Sequence, residues 1–413
     1  MKIFKTAEFI DNNVLTKKYY FCGIRLLKKS VFNSYSYTFK QIYFFNVRLL
    51  NYIKHNFRPA DNGISIIEIG DISGEGKTGK TAINSLERSG INFDSGLINY
   101  LYIRHTPKYK KQLVFSTADF LKNPSYDIIP LLVWEFESGM EHVRPWAFKN
   151  ISAIATFSTF CETYFKKIAP KNLPIYVLPY PIDIDLSKLE LVRQVRTKYR
   201  IKPHDFVFFF NFSYTSSYFR KNPEGTLDAF ALAFPKCSRD IKLIIKTVGS
   251  TKSPDLVNRL SKKVDNLKLN KNVILIDDEL TDYETYSLIN ACDVYISLHR
   301  GEGLGLGMME AMYMGKPVIA TNYGGNTDFT KPGTALLVDY EMVKPVEIDI
   351  DAYKYVEEWP EPNVNTAAKH MRDLYNNPTK CKKLGQKAQN FIRKNFNAKK
   401  FNNKIKKLLN DRV

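Results

Sequence analysis

From Ile64 onward the chain repeats one pattern: a short apolar run, a polar or glycine-rich loop, then a stretch with apolar residues at helical spacing. The apolar runs lie at 64–69, 131–133, 151–158, 175–178, 206–210, 243–248, 273–276, 294–296 and 318–321. Most are fully apolar and rich in β-branched residues, as suits strands buried on both faces. Helical spacing follows at 82–88, 159–168, 227–234 and 308–312, and basic helices are expected at 369–375 and 383–409. This order predicts an α/β protein. The first 59 residues differ. They are basic and aromatic, and show no clean alternation; from Lys40 to Lys54 the apolar residues fall at near-helical spacing. A helix is expected there, either lying in a membrane interface with its lysines toward anionic lipid or packed on the main domain.

One stretch carries more chemistry than the rest. After the strand at 294–296 come Gly301, Gly303, Gly305 and Gly307, then a helix through Met308, Met309, Ala311 and Met312. Gly315 ends that helix and Lys316-Pro317 blocks its continuation. Glycines admit a ligand close to the backbone, and a helix starting after them aims free N–H groups at it. Glu302 in the loop and Glu310 on the helix flank this place. A carboxylate accepts two hydroxyls at once, which suits the vicinal diols of a sugar or a ribose.

The block from Glu302 to Asn326 resembles the donor-site signature of retaining glycosyltransferases of family 4, which have the two-domain GT-B fold. The shared residues are Glu302 and Glu310 eight apart, Glu310-Ala311-Met312, the run from Gly315 to Thr321, and Gly324-Gly325-Asn326. The resemblance implies two Rossmann-like domains facing across a cleft. It implies transfer of a hexose from a nucleoside-diphosphate sugar, with Glu302 on the sugar and Glu310 on the ribose, and the backbone of Gly303, Leu304, Gly305 and Leu306 around the donor. After the 206–210 strand, Lys221-Asn222 matches the family's phosphate-binding lysine and its neighbour. The family's arginine stands earlier, where this chain has Asn211-Phe212-Ser213; Arg220 or Lys246 is expected to supply that charge. The catalytic set is thus expected to be Glu302, Lys221 and Arg220. No metal or other cofactor is required if these cations and the helix end carry the leaving charge.

On the other side of the cleft, Trp134-Glu135-Phe136-Glu137 ends a strand, and the resemblance puts Glu135 and Glu137 on the acceptor side. Either orients an acceptor hydroxyl, or pairs with a base such as Arg144; Trp146 stacks on a sugar or fills the core. Pro179-Tyr180-Pro181-Ile182-Asp183 looks like the linker closing the first domain. The expected organisation is an extension at 1–59, an acceptor-side domain at 60–183 and a donor domain at 184–390. A last helix, about 391–409, crosses back to the first domain. Loop 277–281 matches the base-contacting region, and His299 is expected behind the glycine loop.

A rival motif stands earlier. Gly74 to Thr81 fits the phosphate-loop pattern Gly-x4-Gly-Lys-Thr between a strand and a helix, which would make the chain an ATPase. Three residues separate the strand from the first glycine, and the best acidic strand end, Asp277-Asp278, lies far away in sequence. The family resemblance uses the same glycines differently, with Gly76 in a loop facing the donor phosphates. A glycoside hydrolase also needs two acids; eight helical residues would span about 12 Å, more than such a pair tolerates, which argues against one without excluding it, because Glu302 is in the loop.

Composition narrows the partners. The 413 residues are 44% apolar, enough for two domains, and carry a net charge of +19. The five cysteines have no paired spacing, as in a reducing compartment. There is no nucleic-acid-binding motif, and the N-terminus has no secretory pattern. Residues 17–29 are similar to leader segments on transferases of bacterial surface polysaccharides. The expectation is a cytoplasmic enzyme, peripheral at the inner face of the membrane, acting on a glycan or lipid-linked acceptor in polysaccharide or lipopolysaccharide synthesis. An anionic membrane surface is its expected partner, and nucleic acid is not.

Overall fold

The computed structural model describes residues 4–11, 14–21, 24–33, 37–44, 47–55, 60–69, 74–99, 102–103, 108–115, 127–143, 148–235 and 240–411. The chain opens with five strands, β1 (Phe4–Asp11), β2 (Val14–Phe21), β3 (Ile24–Asn33), β4 (Tyr37–Phe44) and β5 (Val47–His55), paired in sequence order as an antiparallel meander. The helix expected from Lys40 to Lys54 is therefore not formed. Instead β4 and β5 set Phe39 opposite Ile53 and Ile42 opposite Leu50. The physical reason is composition: among residues 1–55 the only alanine is Ala7, while aromatic and β-branched residues abound. Those types favour a pleated surface over a helix.

The first α/β domain holds β6 (Ala60–Ile69), α1 (Gly74–Leu86), β7 (Phe93–Asn99), β8 (Tyr102–Ile103), β9 (Tyr109–Phe115) and β10 (Asp127–Pro130). Their sheet order is β10-β9-β6-β7-β8, parallel except for β8. The short helix α2 (Met140–Val143) follows, then β11 (Ile154–Thr156), α3 (Thr159–Ile168) and β12 (Ile175–Val177). A bridge from Leu131 to Ala155 continues the first sheet onto the parallel β11–β12 pair. The strands at 64–67 and 111–115 are almost fully apolar or buried, as central parallel strands must be. Residues 178–184 then leave this domain with Leu178, Tyr180, Ile182 and Ile184 buried between the two halves.

The second domain contains α4 (Val192–Lys198), β13 (Phe206–Ser213), α5 (Tyr218–Lys221), α6 (Pro223–Ala233), β14 (Ile241–Val248), α7 (Pro254–Asn266), β15 (Val273–Ile276), α8 (Asp282–Ala291), β16 (Val294–Ser297), α9 (Leu306–Tyr313), β17 (Val318–Thr321) and β18 (Leu336–Val338). All six strands are parallel, in the order β15-β14-β13-β16-β17-β18. The order reverses at β13 and β16, so the loops after these two strands diverge and leave a crevice, the usual ligand position in such sheets. Both carry the residues singled out above.

A hairpin, β19 (Tyr340–Val343) and β20 (Trp359–Pro362), follows. The strap between its strands reaches the first domain, where Tyr353 and Val356 bury against Trp134, Phe136 and Met140. The chain ends in α10 (Val364–Asn376), α11 (Pro378–Asn395) and α12 (Ala398–Asn410). The last of these packs on α1 and β6 of the first domain. There Asn402 donates to the Ser85 carbonyl at 2.9 Å and accepts from its hydroxyl at 3.0 Å. The Lys111 ammonium donates to the carbonyls of Leu408, Leu409 and Asp411, at 2.8, 3.1 and 2.5 Å. A helix leaves its last carbonyls unpaired, and this one is closed by a cation from the opposite domain.

Candidate active site

The loop at 301–305 lies in the seam between the domains, and its glycines answer to packing as well as to any ligand. A Cβ on Gly303 would stand 2.1 Å from Val133, and one on Gly301 would stand 2.6 Å from the Phe136 ring. Ser158 of the first domain donates to the Gly303 carbonyl at 2.8 Å. Behind the loop, the Gly325 N–H donates to the Glu302 carbonyl at 2.6 Å, so close that a Cβ there would meet the Gly303 oxygen at 1.9 Å. Gly305 has φ +95°, a left-handed turn that opens α9 at Leu306. No side chain caps this helix, so its first N–H groups remain available to an anion.

Facing the loop, α5 presents two cations. Its N-terminus is fixed by Ser217 and by Asp349 of the strap, which accepts from the Tyr218 N–H at 2.6 Å and the Ser217 hydroxyl at 2.5 Å. Asn222 ends the helix in the left-handed region and ties it to the Leu298 carbonyl at 2.9 Å. This geometry brings the expected catalytic set together. The Lys221 ammonium lies 2.5 Å from a Glu302 oxygen. Arg220 is 2% exposed and stands 3.9 Å from Glu302 and 3.8 Å from Glu135, so the cluster spans both domains. Burial alone would push the Glu302 carboxyl up, but the charges of Lys221 and Arg220 outweigh it and hold the pKa down at about 2.

Arg220 does not point freely into the crevice. It donates to the Gly301 carbonyl at 2.8 Å, and to the Ser216 carbonyl and hydroxyl at 2.8 and 2.7 Å; only its buried Nε lacks a partner. Tyr353 covers the guanidinium, with its ring centre 5.8 Å away. Lys246 lies one strand over, in register with Asn211 of β13. It is buried on β14, and the charges acting on it are Asp277, Asp278 and Glu279, the acids of the loop expected near the base. The family's arginine position is filled by Asn211, which accepts from the Tyr295 hydroxyl at 2.7 Å beside Gly307.

Glu310 is nearly fully buried on α9, and Lys77 of α1 reaches across to it, with 2.6 Å between Nζ and Oε1. The rival phosphate loop is thereby corrected. Gly74 to Thr81 is not a loop but the opening two turns of α1, with Gly76 inside the helix. From Thr78 on its backbone N–H groups are committed to helical bonds rather than to a cradle. The motif lysine, Lys80, is exposed, and the Thr81 hydroxyl donates to the Lys77 carbonyl and meets the Tyr180 hydroxyl.

His299 is fully buried, and burial lowers its pKa. It bonds Ser297 at 3.1 Å and the Tyr323 carbonyl at 3.0 Å, pinning the glycine loop to the turn at 323–326. Glu137 is exposed near Tyr323 and Tyr340. Arg144 and Trp146 lie outside the described residues. Among the described residues no group of three or more His, Cys, Asp or Glu side chains is placed to hold a metal. No described helix is long and apolar enough to cross a membrane. Sequence reasoning missed Tyr353, Asp349 and Lys77 as members of this site. No local pattern marks the first two, and Lys77 was hidden inside the glycine motif.

Residues 209–391 match the family described as glycosyl transferases group 1. A curated relative, an uncharacterized glycosyltransferase of Methanocaldococcus jannaschii, is 29% identical over 191 residues; the match spans 46% of this chain and 41% of the relative. Among solved structures, HepE of Anabaena, in complex with UDP and glucose, superposes with a TM-score of 0.61 at 15% identity, over 84% of this chain and 99% of that one. Sucrose-phosphate synthase of Thermosynechococcus elongatus gives 0.60 at 16%, over 85% and 98%. TarM of S. aureus, solved with UDP and α-GlcNAc-glycerol, gives 0.54 at 13%, over 98% and 80%. At these identities the structural likeness shows the fold, while the matched segment contains Lys221, Glu302 and Glu310. Over residues 209–391, a little under half of its length, the chain matches the group 1 glycosyl transferases, and as a whole it has the GT-B fold.

Proposed function

We propose that this protein is a retaining glycosyltransferase that moves a hexose from a nucleoside-diphosphate sugar to a glycan or lipid-linked acceptor. The observation that supports this most is the cluster of Lys221, Arg220 and Glu302 beside the uncapped start of α9, with Glu310 one helix turn further in. Lys221 and the helix N–H groups take the diphosphate, Glu302 the sugar hydroxyls and Glu310 the ribose. When the donor binds, phosphate oxygens replace Glu302 as the partner of Lys221, and the carboxylate is released to the sugar. The acceptor oxygen then bonds to the anomeric carbon as the bond from that carbon to the diphosphate breaks on the same face. The acceptor proton leaves with the diphosphate. Charge that develops on the leaving group is met by cations already in place, which is where such sites gain most. Glu135, anchored near Arg220, orients the acceptor hydroxyl from the first domain, with Glu137 further out. On this reading the charge is balanced without a metal ion.

The +19 charge supports an acceptor that bears phosphate at a membrane surface, as in surface polysaccharide or lipopolysaccharide synthesis, with the protein peripheral at the cytoplasmic face. HepE and TarM were solved with UDP, and uridine donors are the first to try. The test is transfer of labelled sugar from UDP- and GDP-sugars to extracted membrane lipids and to soluble glycans. Glu302→Ala and Glu310→Ala are each expected to lower transfer at least about 10-fold, or about 1.4 kcal/mol. Near-normal turnover in either variant removes that glutamate from the site. Transfer to soluble glycans alone overturns the lipid-linked acceptor.

A further inference from the structure

We propose that Lys77, carried by the first domain, completes the ribose-binding site on the second domain by holding the Glu310 carboxylate in place and ionised. This rests on the reading of Glu310 as the ribose ligand.

The geometry is specific. The Lys77 ammonium lies 2.6 Å from Glu310, 3.2 Å from Asp282, and 4.7 Å from the centre of the Tyr286 ring. Its side chain is one-fifth exposed, and that of Glu310 is 6% exposed. The groups acting on Glu310 come from four other elements. They are Lys77 on α1, Asp282 and Tyr286 on α8, Tyr295 on β16, and Tyr180 in the crossing segment. Among these Lys77 is the one cation; the rest are an acid and three phenols. Burial, the largest influence, keeps the Glu310 carboxyl above its ordinary value and Asp282 pushes it the same way, while Lys77 most strongly, and the Tyr286 hydroxyl after it, limit the rise. Lys77 in turn is held protonated, since Glu310, Tyr286 and Asp282 outweigh the burial that works against its charge.

The consequence is chemical. An ionised carboxylate accepts both hydroxyls of a vicinal diol, whereas a protonated one has turned part of its acceptor capacity into a donor. Without Lys77, Glu310 faces a low-dielectric site and a neighbouring acid, conditions that raise a carboxyl toward neutral pH. The nucleotide site of the second domain is therefore incomplete until the first domain closes on it. This also gives Lys77 a role inside the glycine motif that the phosphate-loop reading did not provide: it is the lysine before the pattern's last glycine, aimed at α9 rather than at a phosphate cradle.

The experiment is calorimetric titration of the full chain with UDP and GDP and with their 2′,3′-dideoxy analogues. It uses the natural chain, Lys77→Met and Lys77→Arg, at pH values from about 6 to about 8. In the natural chain the better nucleotide binds with little pH dependence and outbinds its dideoxy analogue. Lys77→Met is expected to weaken the ribose nucleotide about 10-fold or more, and least at the alkaline end, where Glu310 ionises unaided. The dideoxy analogue is expected to bind both chains alike, and Lys77→Arg to restore the natural affinity. Equal loss for the ribose and dideoxy forms makes Lys77 a phosphate ligand and overturns the proposal. So does unchanged binding in Lys77→Met. If the natural chain binds neither nucleotide, the donor-site reading itself fails, and this inference with it.

Discussion

Glu302 keeps a negative charge where burial alone would remove it. Its carboxyl falls from an ordinary 4.5 to about 2 because Lys221 and Arg220 stand against it. A carboxyl depressed on folding stabilises the native state above its unfolded pKa and loses that contribution as pH falls through the folded one. The stability advantage of the natural chain over Glu302→Gln is thus expected to be full above pH 4.5 and to shrink progressively toward about 2. Melting both proteins across that range checks it; a constant difference would show that Glu302 is not held by these cations. Much of this residue-level picture was legible beforehand. Glu302 and Glu310 sit in a contiguous motif whose chemistry is carried by spacing, and Lys221-Asn222 follows the strand at 206–210. Lys246 stands in register with Asn211, and the acids that act on it come from the loop after the neighbouring strand β15. Lys77 and Glu310 are 233 residues apart, and only the closing of two domains makes them neighbours.

At the level of elements, the glycine loop works by close approach. A Cβ at Gly325 meets the Gly303 carbonyl at 1.9 Å, and no side chain can move aside to admit it. Gly325→Ala is expected to cost about 1–3 kcal/mol or more, as overpacking does, and to lower Tm by several degrees. Gly333 makes a fair control. It has φ +88° but nothing within 4 Å, so alanine there meets only the backbone strain. An equal fall in both variants, read by calorimetry, would mean that contact with the loop is not what Gly325 provides. The same scale holds the clearest errors of sequence reading. Lys40 to Lys54 has apolar residues near helical spacing, yet β4 and β5 form a pair across a two-residue gap, as a segment rich in aromatic and β-branched types favours. Gly74 to Thr81 has the letters of a phosphate loop but continues as helix, since α1 begins at its first glycine.

At the level of the molecule, two Rossmann-like domains share one cleft and are fastened at several points. Residues 178–184 cross one way, and α12 crosses back. Thr159 at the start of α3 bonds Asp328 through its N–H at 2.8 Å, and the strap carries Tyr353 onto Trp134 and Phe136. The α/β class and the two-domain fold were readable from the alternation of apolar runs with helical stretches and from the donor motif. The strap was not, because its sequence has no periodicity and its partners lie in the other domain. Lys111 tests how much the returning helix matters. Lys111→Met leaves three helix-end carbonyls without their cation and is expected to destabilise the protein by about 1–3 kcal/mol. Limited proteolysis would then release the C-terminal segment early; an unchanged digestion pattern would show that α12 is held by its apolar face alone.

The most direct test of the donor site is the thermal shift of the full chain with UDP, GDP and ADP in the presence of a chelator, beside ATP with magnesium. A ligand at about 100 times its Kd adds about 2.7 kcal/mol, a shift of a few degrees for a chain of this size. The account predicts that one nucleoside diphosphate raises Tm without metal, and that Glu310→Ala abolishes the rise. Stabilisation by ATP with magnesium alone would contradict it.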